Sequence, residues 1–359
     1  MDITILVISA IKVVVIFGAV FVCVPLMTWI ERRGAGLMQL RLGPSRLGPL
    51  GLFQPIADGI KFLFKEDREP AHVEKFFYFI APLVCFIAAA LTFAVIPVAA
   101  PVNIAGRTIS FQIADLNVGI LYILAISSVG LYGIVMAGWS SNNKYAMIGA
   151  LRSSAQMISY EIALGLSVIG VVMVFSSVVS SEIIAAQAGT LFSAGPFNFP
   201  RWGVFLQPIG FLIFVVAMFA ETNRLPFDLP EGESEIVAGY HIEYGGLKWS
   251  MFFVAEYTSM ISFSALAVTL FFGGWQLFPG MGRLVALAPG MWGAALLVVL
   301  QILSFTIKTA FFMWFFVWVR WTLPRFRYDQ LMALGWKVLM PLAALNIAGT
   351  LVLIRTGVL

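Results

Sequence analysis

The sequence is poor in the residues that hold metals or form disulfides. Its 359 residues include two cysteines, Cys23 and Cys85, and two histidines, His72 and His241. The cysteines lie in separate apolar runs without CxxC or iron–sulfur spacing, which argues against a disulfide framework. Two histidines leave a haem or His-based metal centre almost no ligands. No metal site and no catalytic residue are expected, so any redox chemistry must use a group held by another subunit or a diffusible one. Charge is scarce as well: 11% of residues are charged, against about 25% in a soluble domain. The formal charge of +4 is modest, and no nucleic-acid partner is expected.

What the chain has in abundance is apolar surface. It is 60% hydrophobic, with a mean hydropathy of +0.95. This composition specifies an all-α polytopic membrane protein. With about 20 apolar residues needed per crossing, eight transmembrane helices are predicted near 4–29, 76–98, 118–138, 155–178, 203–220, 250–273, 291–319 and 332–354. The run Ile3 to Ile30 is too long for a signal-peptide core and has no basic segment before it, so it is read as a retained helix. Sixteen of the 22 Lys and Arg residues fall in the segments 31–75, 139–154, 221–249 and 320–331 or, for Lys337, just beyond the last of them. Only Arg107, Arg201, Arg283 and Arg355 fall in the others. By the positive-inside rule the first set faces the cytoplasm and both termini are periplasmic. Lys12 and Lys308 lie inside apolar runs; Lys308 is expected to be a counter-charge or to snorkel. No internal repeat is visible, and residues 1–359 read as a single membrane domain.

The segment 31–75 divides in two. Gly34 to Pro49 is rich in Gly and Pro and is expected to be irregular. After Gly51, the apolar residues Leu52, Phe53, Ile56, Ile60, Leu63 and Phe64 recur at helical spacing opposite Gln54, Asp58, Lys61 and Lys65. Such a helix is too short and too polar on one face to span, so it lies in the interface plane. From pattern alone it is either a lipid anchor or part of a site.

Seven of the 18 acidic residues lie between Glu221 and Glu256: Glu221, Asp228, Glu231, Glu233, Glu235, Glu243 and Glu256. Glu161 lies about 13 Å beyond Arg152 along one helix, well inside an apolar run. A carboxylate at such depth costs several kcal/mol unless it is paired, hydrated or protonated. The density therefore points to a buried proton route or a docking face for a partner. The competing reading is packing alone, with Glu161 paired to Arg152 and Glu256 to Lys248. Tyr160, Tyr240, Tyr244 and Tyr257 stand beside these acids and can extend hydrogen-bonded chains. Gly232, Gly239, Gly245, Gly246, Pro226 and Pro230 interrupt helix through 221–249. That acidic cytoplasmic loop is expected to fold back on the bundle or bind another subunit.

Several strings resemble one family. Trp29-Ile-Glu31-Arg32-Arg33, Met38-Gln-Leu-Arg41-Leu-Gly43-Pro44 and Gln54-Pro-Ile-Ala-Asp58-Gly-Ile-Lys61 resemble the first cytoplasmic loop of the quinone-tunnel membrane subunit of respiratory complex I, called H in bacteria and subunit 1 in mitochondria. Ile158-Ser-Tyr160-Glu161, Ala220-Glu221-Thr-Asn-Arg224-Leu-Pro-Phe-Asp228 through Glu235, Gly239-Tyr-His-Ile-Glu243-Tyr244 and Ala255-Glu256-Tyr257 resemble its other signatures. The resemblance implies a subunit of a proton-translocating NADH:quinone oxidoreductase in a bacterial inner membrane. It binds no cofactor; quinone is the substrate, and NADH, FMN and iron–sulfur clusters belong to partner subunits. Implied partners are the peripheral quinone-module iron–sulfur subunits, the small membrane subunits and the antiporter-like subunits. By the same resemblance, Arg32, Arg41 and Asp58 line or support the quinone chamber. Glu161, Glu221, Asp228, Glu231, Glu233, Glu235, Glu243 and Glu256 form an acidic path from it. The equivalent subunit of an energy-converting hydrogenase, or of an F420H2- or ferredoxin-driven relative, is the alternative. A stand-alone proton-coupled transporter fits less well, because no repeat halves are visible.

Overall fold

The structure, a computed structural model, describes residues 3–357 except 68, 105–106, 195–196, 230–231, 233–236 and 279–290. Among the described residues the regular structure is helical apart from two antiparallel ribbons, β1 (Val102–Ile104) with β2 (Arg107–Ile109) and β3 (Thr190–Ala194) with β4 (Phe197–Pro200). The helices are α1 (Ile3–Met38), α2 (Gln54–Phe64), α3 (Lys75–Thr92), α4 (Gly119–Ser140), α5 (Lys144–Phe175), α6 (Ser180–Ala186), α7 (Gly203–Leu206), α8 (Pro208–Glu221), α9 (Gly246–Phe271), α10 (Met291–Thr322) and α11 (Tyr328–Arg355). A π-helical stretch, Leu334–Leu339, interrupts α11.

Seven of these helices are long and apolar enough to cross a membrane. The span expected at 203–220 is instead broken into α7 and α8. Pro208 begins α8 and forces Gln207 out of helical geometry (φ −133°, ψ 58°). At 14 residues, α8 is about 21 Å long, short of the roughly 30 Å hydrocarbon core. The Gln207 side chain is held at the break, donating to Thr350 Oγ1 (2.7 Å) and accepting from Asn346 Nδ2 (2.8 Å).

Two further expectations are corrected. The segment 139–154 is mostly helix: α4 runs to Ser140, and Asn143 caps α5 by accepting the Tyr145 N–H at 2.9 Å. Arg152 lies on that helix, as its spacing to Glu161 implies. Similarly, α1 continues past Gly34 and Gly36 to Met38. A side chain at Gly36 would meet the Arg41 carbonyl at 2.8 Å and the Gly43 nitrogen at 2.9 Å. Glycine here lets the returning chain press against the last turns of α1, rather than ending the helix.

One apolar core joins α1, α5, α8, α9 and α10 around Met27, Phe214, Met218, Phe271 and Phe316. A second, built on α3, α4 and α5, packs Tyr78, Ala137 and Ala150 against Tyr240 and Tyr244. The stretch around Tyr240 and Tyr244 is thus packed onto the bundle. Contact is tight at Gly149 on α5, where a Cβ would lie 2.6 Å from the Gly239 Cα. Backbone cannot yield that distance cheaply, so Gly149→Ala is expected to destabilise the subunit by about 1–3 kcal/mol. A lower thermal midpoint of the detergent-extracted protein checks this.

Lys308, mid-helix in α10, does not snorkel and meets no carboxylate among the described residues. Its ammonium donates to the carbonyls of Phe272 (2.9 Å), Gly274 (3.1 Å) and Gln276 (2.7 Å). It satisfies acceptors left over where α9 ends inside protein.

Candidate functional site

The turn after α8 is organised by one buried amide. Gln156 on α5 donates from Nε2 to the Ala220 carbonyl (2.9 Å), the Asn223 Oδ1 (3.1 Å) and the Phe227 carbonyl (3.0 Å). Asn223 adopts a left-handed conformation (φ 50°), and the Arg224 N–H returns to the Phe219 carbonyl at 3.2 Å. The chain is thereby reversed so that Arg224, only 5% exposed, points into the bundle.

Arg224 is the hub of a charge cluster. Its Nη1 donates to Glu31 on α1 (3.3 and 3.4 Å), and its Nε lies 2.5 Å from Glu256 Oε1 on α9. The guanidinium stands 4.3 Å from the centre of the Tyr257 ring, whose hydroxyl donates to Glu31 at 2.5 Å. Arg320 on α10 also pairs with Glu31. Two carboxylates thus face two guanidinium groups, and the cluster can be neutral. Burial opposes the charge on Arg224, but Glu256, Tyr257 and Glu31 outweigh it and hold the group firmly protonated. Nearby, Arg325 donates to Asp228 at 3.1 Å. For Asp228 burial prevails over Arg325, Arg320 and Arg224, and its carboxyl lies above the usual range.

The remaining acids occupy three places. Glu221 is 5% exposed, and its Oε2 has no hydrogen-bond partner among the described residues. It lines a cavity of about 70 Å³ with Thr92, Ser127, Asn223, Tyr240, Glu256 and Ser259. Its wall is part polar and part apolar, with Ala88, Ile134 and Phe263 among the apolar side chains, and it is large enough for water. Glu161 accepts a hydrogen bond from Ser128 on α4, one residue from that cavity wall. Glu243 stands apart, accepting from Asn143 Nδ2 (2.8 Å) with His72 Nε2 at 3.6 Å. Glu231, Glu233 and Glu235 lie outside the described residues. The expected pairing of Glu256 with Lys248 is replaced by a different one. Glu256 pairs with Arg224, while Lys248 pairs with Asp67 (2.9 Å) and Glu69 (3.5 Å).

Helix α2 forms the second part of the site. Asp58 accepts from Arg32 Nη1 at 2.5 Å and from Gln54 Nε2 at 3.1 Å. Burial raises the Asp58 carboxyl, yet the hydrogen bonds from Arg32 and Gln54 and the charges of Arg32 and Lys61 hold it below the usual range. Arg41 donates to Gln39 Oε1 at 2.7 Å. Between α1, α2 and α9 lies an apolar cavity of about 380 Å³, walled by Val24, Pro25, Ile56, Ile60, Leu63 and Val254. It shares Thr28, Arg32 and Phe253 with a cavity of about 500 Å³ that reaches Glu31, Arg41, Tyr257 and Arg320. Phe253 and Arg320 also border a third, of about 770 Å³, containing Arg224, Asp228 and Glu256. Asn223 and Glu256 separate that space from the Glu221 cavity. Greasy surface near α2 and buried carboxylates near α5 are therefore ends of one series of adjoining spaces.

Residues 11–351 match the family described as NADH dehydrogenase. The chain belongs to that family. It is 46% identical to the H subunit of the NADH-quinone oxidoreductase of Bdellovibrio bacteriovorus, covering 96% of this chain and 95% of the relative. The corresponding protein of Protochlamydia amoebophila is 48% identical, with 91% of each chain covered. That of Thermomicrobium roseum is 50% identical over 90% of this chain and 89% of its own.

Sequence reasoning misses the hub of this family member's site. Glu31 is legible only as part of a motif, and Arg224 and Arg320 only as loop cations. Those two arginines lie 193 and 289 positions away from Glu31, beyond any local spacing rule. The available signal is a carboxylate directly after an apolar run, where an unpaired charge is costly. Among the described residues, no three His, Cys, Asp or Glu side chains converge as a metal site.

Proposed function

We propose that this chain is the membrane subunit of a proton-translocating NADH:quinone oxidoreductase that encloses the quinone-access chamber and begins the acidic route away from it. The reading places it in a bacterial inner membrane with periplasmic termini. Peripheral subunits carrying FMN and iron–sulfur clusters would supply electrons, and antiporter-like subunits would receive the coupling. The observation that carries the reading is the series of adjoining cavities from the apolar gap at α1, α2 and α9 to Glu256 and Glu221. An isoprenoid tail suits the first of these spaces, and a polar head group suits the second. The names of the relatives support the quinone form over a hydrogenase.

In this reading, quinone reduction draws protons into the chamber and changes its charge beside Glu31. Tyr257 and Arg224 both touch Glu31, and Arg224 also holds Glu256. A change at Glu31 therefore alters the field on Glu256, which borders the water-sized space holding Glu221. Glu161, beyond Ser128, is the next carboxylate. Such a chain transmits a change in charge without moving a helix.

Asp58→Asn and Arg32→Ala test the chamber. Each removes a 2.5 Å charged contact at the mouth and is expected to shift quinone KM or the inhibition constant of a tunnel inhibitor roughly two- to tenfold. Because Asp58 is held ionised, the pair is retained above an unfolded value of about 3.9 and is lost only as pH falls through its lower folded value. The shift should accordingly be constant between about pH 6 and 8. Unchanged inhibition curves would remove both residues from the quinone path.

A further inference from the structure

Lys248 lines none of the cavities described above, yet it is only 6% exposed. It is the third residue of α9, where a cation opposes the helix dipole. A buried ammonium at that end of a helix is unfavourable unless its surroundings compensate it. Here they do. The Lys248 Nζ lies 2.9 Å from Asp67 Oδ2 and 3.5 Å from Glu69 Oε1. It also stands 3.9 Å from the centre of the Phe79 ring and 4.8 Å from that of Tyr78. The segment leading into α9 is held by the same group of residues. The Tyr78 hydroxyl donates to the Glu243 carbonyl at 2.9 Å, and the Tyr78 ring stacks on Tyr244 at 4.2 Å.

No side-chain cap fixes the start of α9. Gly245 precedes it without a capping bond, and Gly246 takes a positive φ of 54°. From Lys248 the helix continues through Trp249-Ser-Met-Phe-Phe-Val-Ala255, which is almost wholly apolar. Apolar packing is non-directional, so on its own it tolerates some sliding or rotation of a helix. The charged residues in this part of α9 are Lys248 at one end and Glu256 at the other. Glu256 lies about 12 Å further along the axis, with its Oε1 2.5 Å from Arg224 Nε. Arg224 has Glu31 as a second partner. A small displacement of α9 would therefore leave Arg224 with Glu31 and set Glu256 free.

We propose that Lys248 is a positioning residue for Glu256: its anchorage to Asp67 and Glu69 sets the height and rotation at which α9 presents Glu256 to Arg224. Sequence spacing pairs these two residues directly, whereas the structure joins them through the helix between them. The inference rests on the acidic route proposed above and adds to it a residue that touches neither the quinone spaces nor the relay.

The test uses the intact complex in its membrane. Modification of Glu256 by a hydrophobic carbodiimide, which a carboxylate paired with a guanidinium resists, is read by peptide mass spectrometry and does not depend on turnover. Lys248→Gln and Lys248→Met are expected to raise that modification at least about threefold. They should lower the coupled rate about tenfold and leave the quinone KM unchanged. Lys248→Arg should restore most of both. In a Glu256→Gln background, Lys248→Gln should lower the rate no further, because the group it positions is gone; a purely structural role would add its own loss. Wild-type modification of Glu256 in the neutral variants overturns the proposal, and so does an additional loss in the Glu256→Gln background. Should those variants fail to assemble, Asp67→Asn, at a side chain 33% exposed, makes the same comparison. Raised modification at an unchanged coupled rate would support the positioning and overturn the relay role of Glu256 instead.

Discussion

Glu161→Gln and Glu256→Gln are expected to lower proton-coupled quinone reduction by about a hundredfold, the lower end of what loss of a proton-transferring group costs. Glu161 is the cleaner case. It accepts from the Ser128 hydroxyl, as a glutamine oxygen can also do, so the bundle should assemble unchanged. Glu256→Gln also takes one negative charge from Arg224, leaving Glu31 to balance both guanidinium groups. It should therefore combine the activity loss with a modest fall in thermal stability. Native gels establish assembly, and pH-sensitive dye quenching in membrane vesicles reports pumping. If both variants pump at wild-type rates, the relay role is wrong.

Replacing Arg224 with leucine is expected to be more damaging, but to stability first. The guanidinium bridges Glu31 and Glu256 in a setting where it is 5% exposed. Its removal takes away the cation facing Glu256 and leaves Arg320 to balance Glu31. Breaking a buried pair from one side costs about 3–5 kcal/mol, a large part of the stability of an ordinary domain. Arg224→Leu should thus reduce the amount of assembled complex in the membrane several-fold. Arg224→Lys should rescue only part of it, because an ammonium cannot reproduce the separate Nη1 and Nε contacts. Restoration by Glu256→Gln in the Arg224→Leu background would show that uncompensated charge is the cause. A leucine variant as abundant and heat-stable as wild type would show that the cluster does not hold the bundle together.

Much of the architecture is legible in the chain because lipid imposes simple rules. Long apolar runs, the amphipathic period of 54–64 and the crowding of acids after Glu221 are all local patterns. The structure reproduces α2 at Gln54–Phe64 and the folding back of the segment that contains Tyr240 and Tyr244. Local signals mislead where they compete with packing. Gly34 and Gly36 suggest turns, yet α1 runs through both, and Gly36 serves a close approach of the returning chain. Hydropathy becomes strong only after Arg152, so the expected span begins at 155. The Asn143 cap nevertheless starts the helix at Lys144, one residue on and well before that apolar stretch.

Composition and periodicity alone settle the solvent this protein lives in, the number of its major apolar helices to within one, and the residue types available for chemistry. Those follow from transfer energies that each segment carries with it. Which charges neutralise one another, and which spaces connect, emerges only from the packed bundle. The placement of Glu31 between Arg224 and Arg320, and of Glu243 beside His72 rather than along the cavities, depends on contacts between distant segments. Coulomb energy falls with separation in space, and separation along the chain does not reveal it.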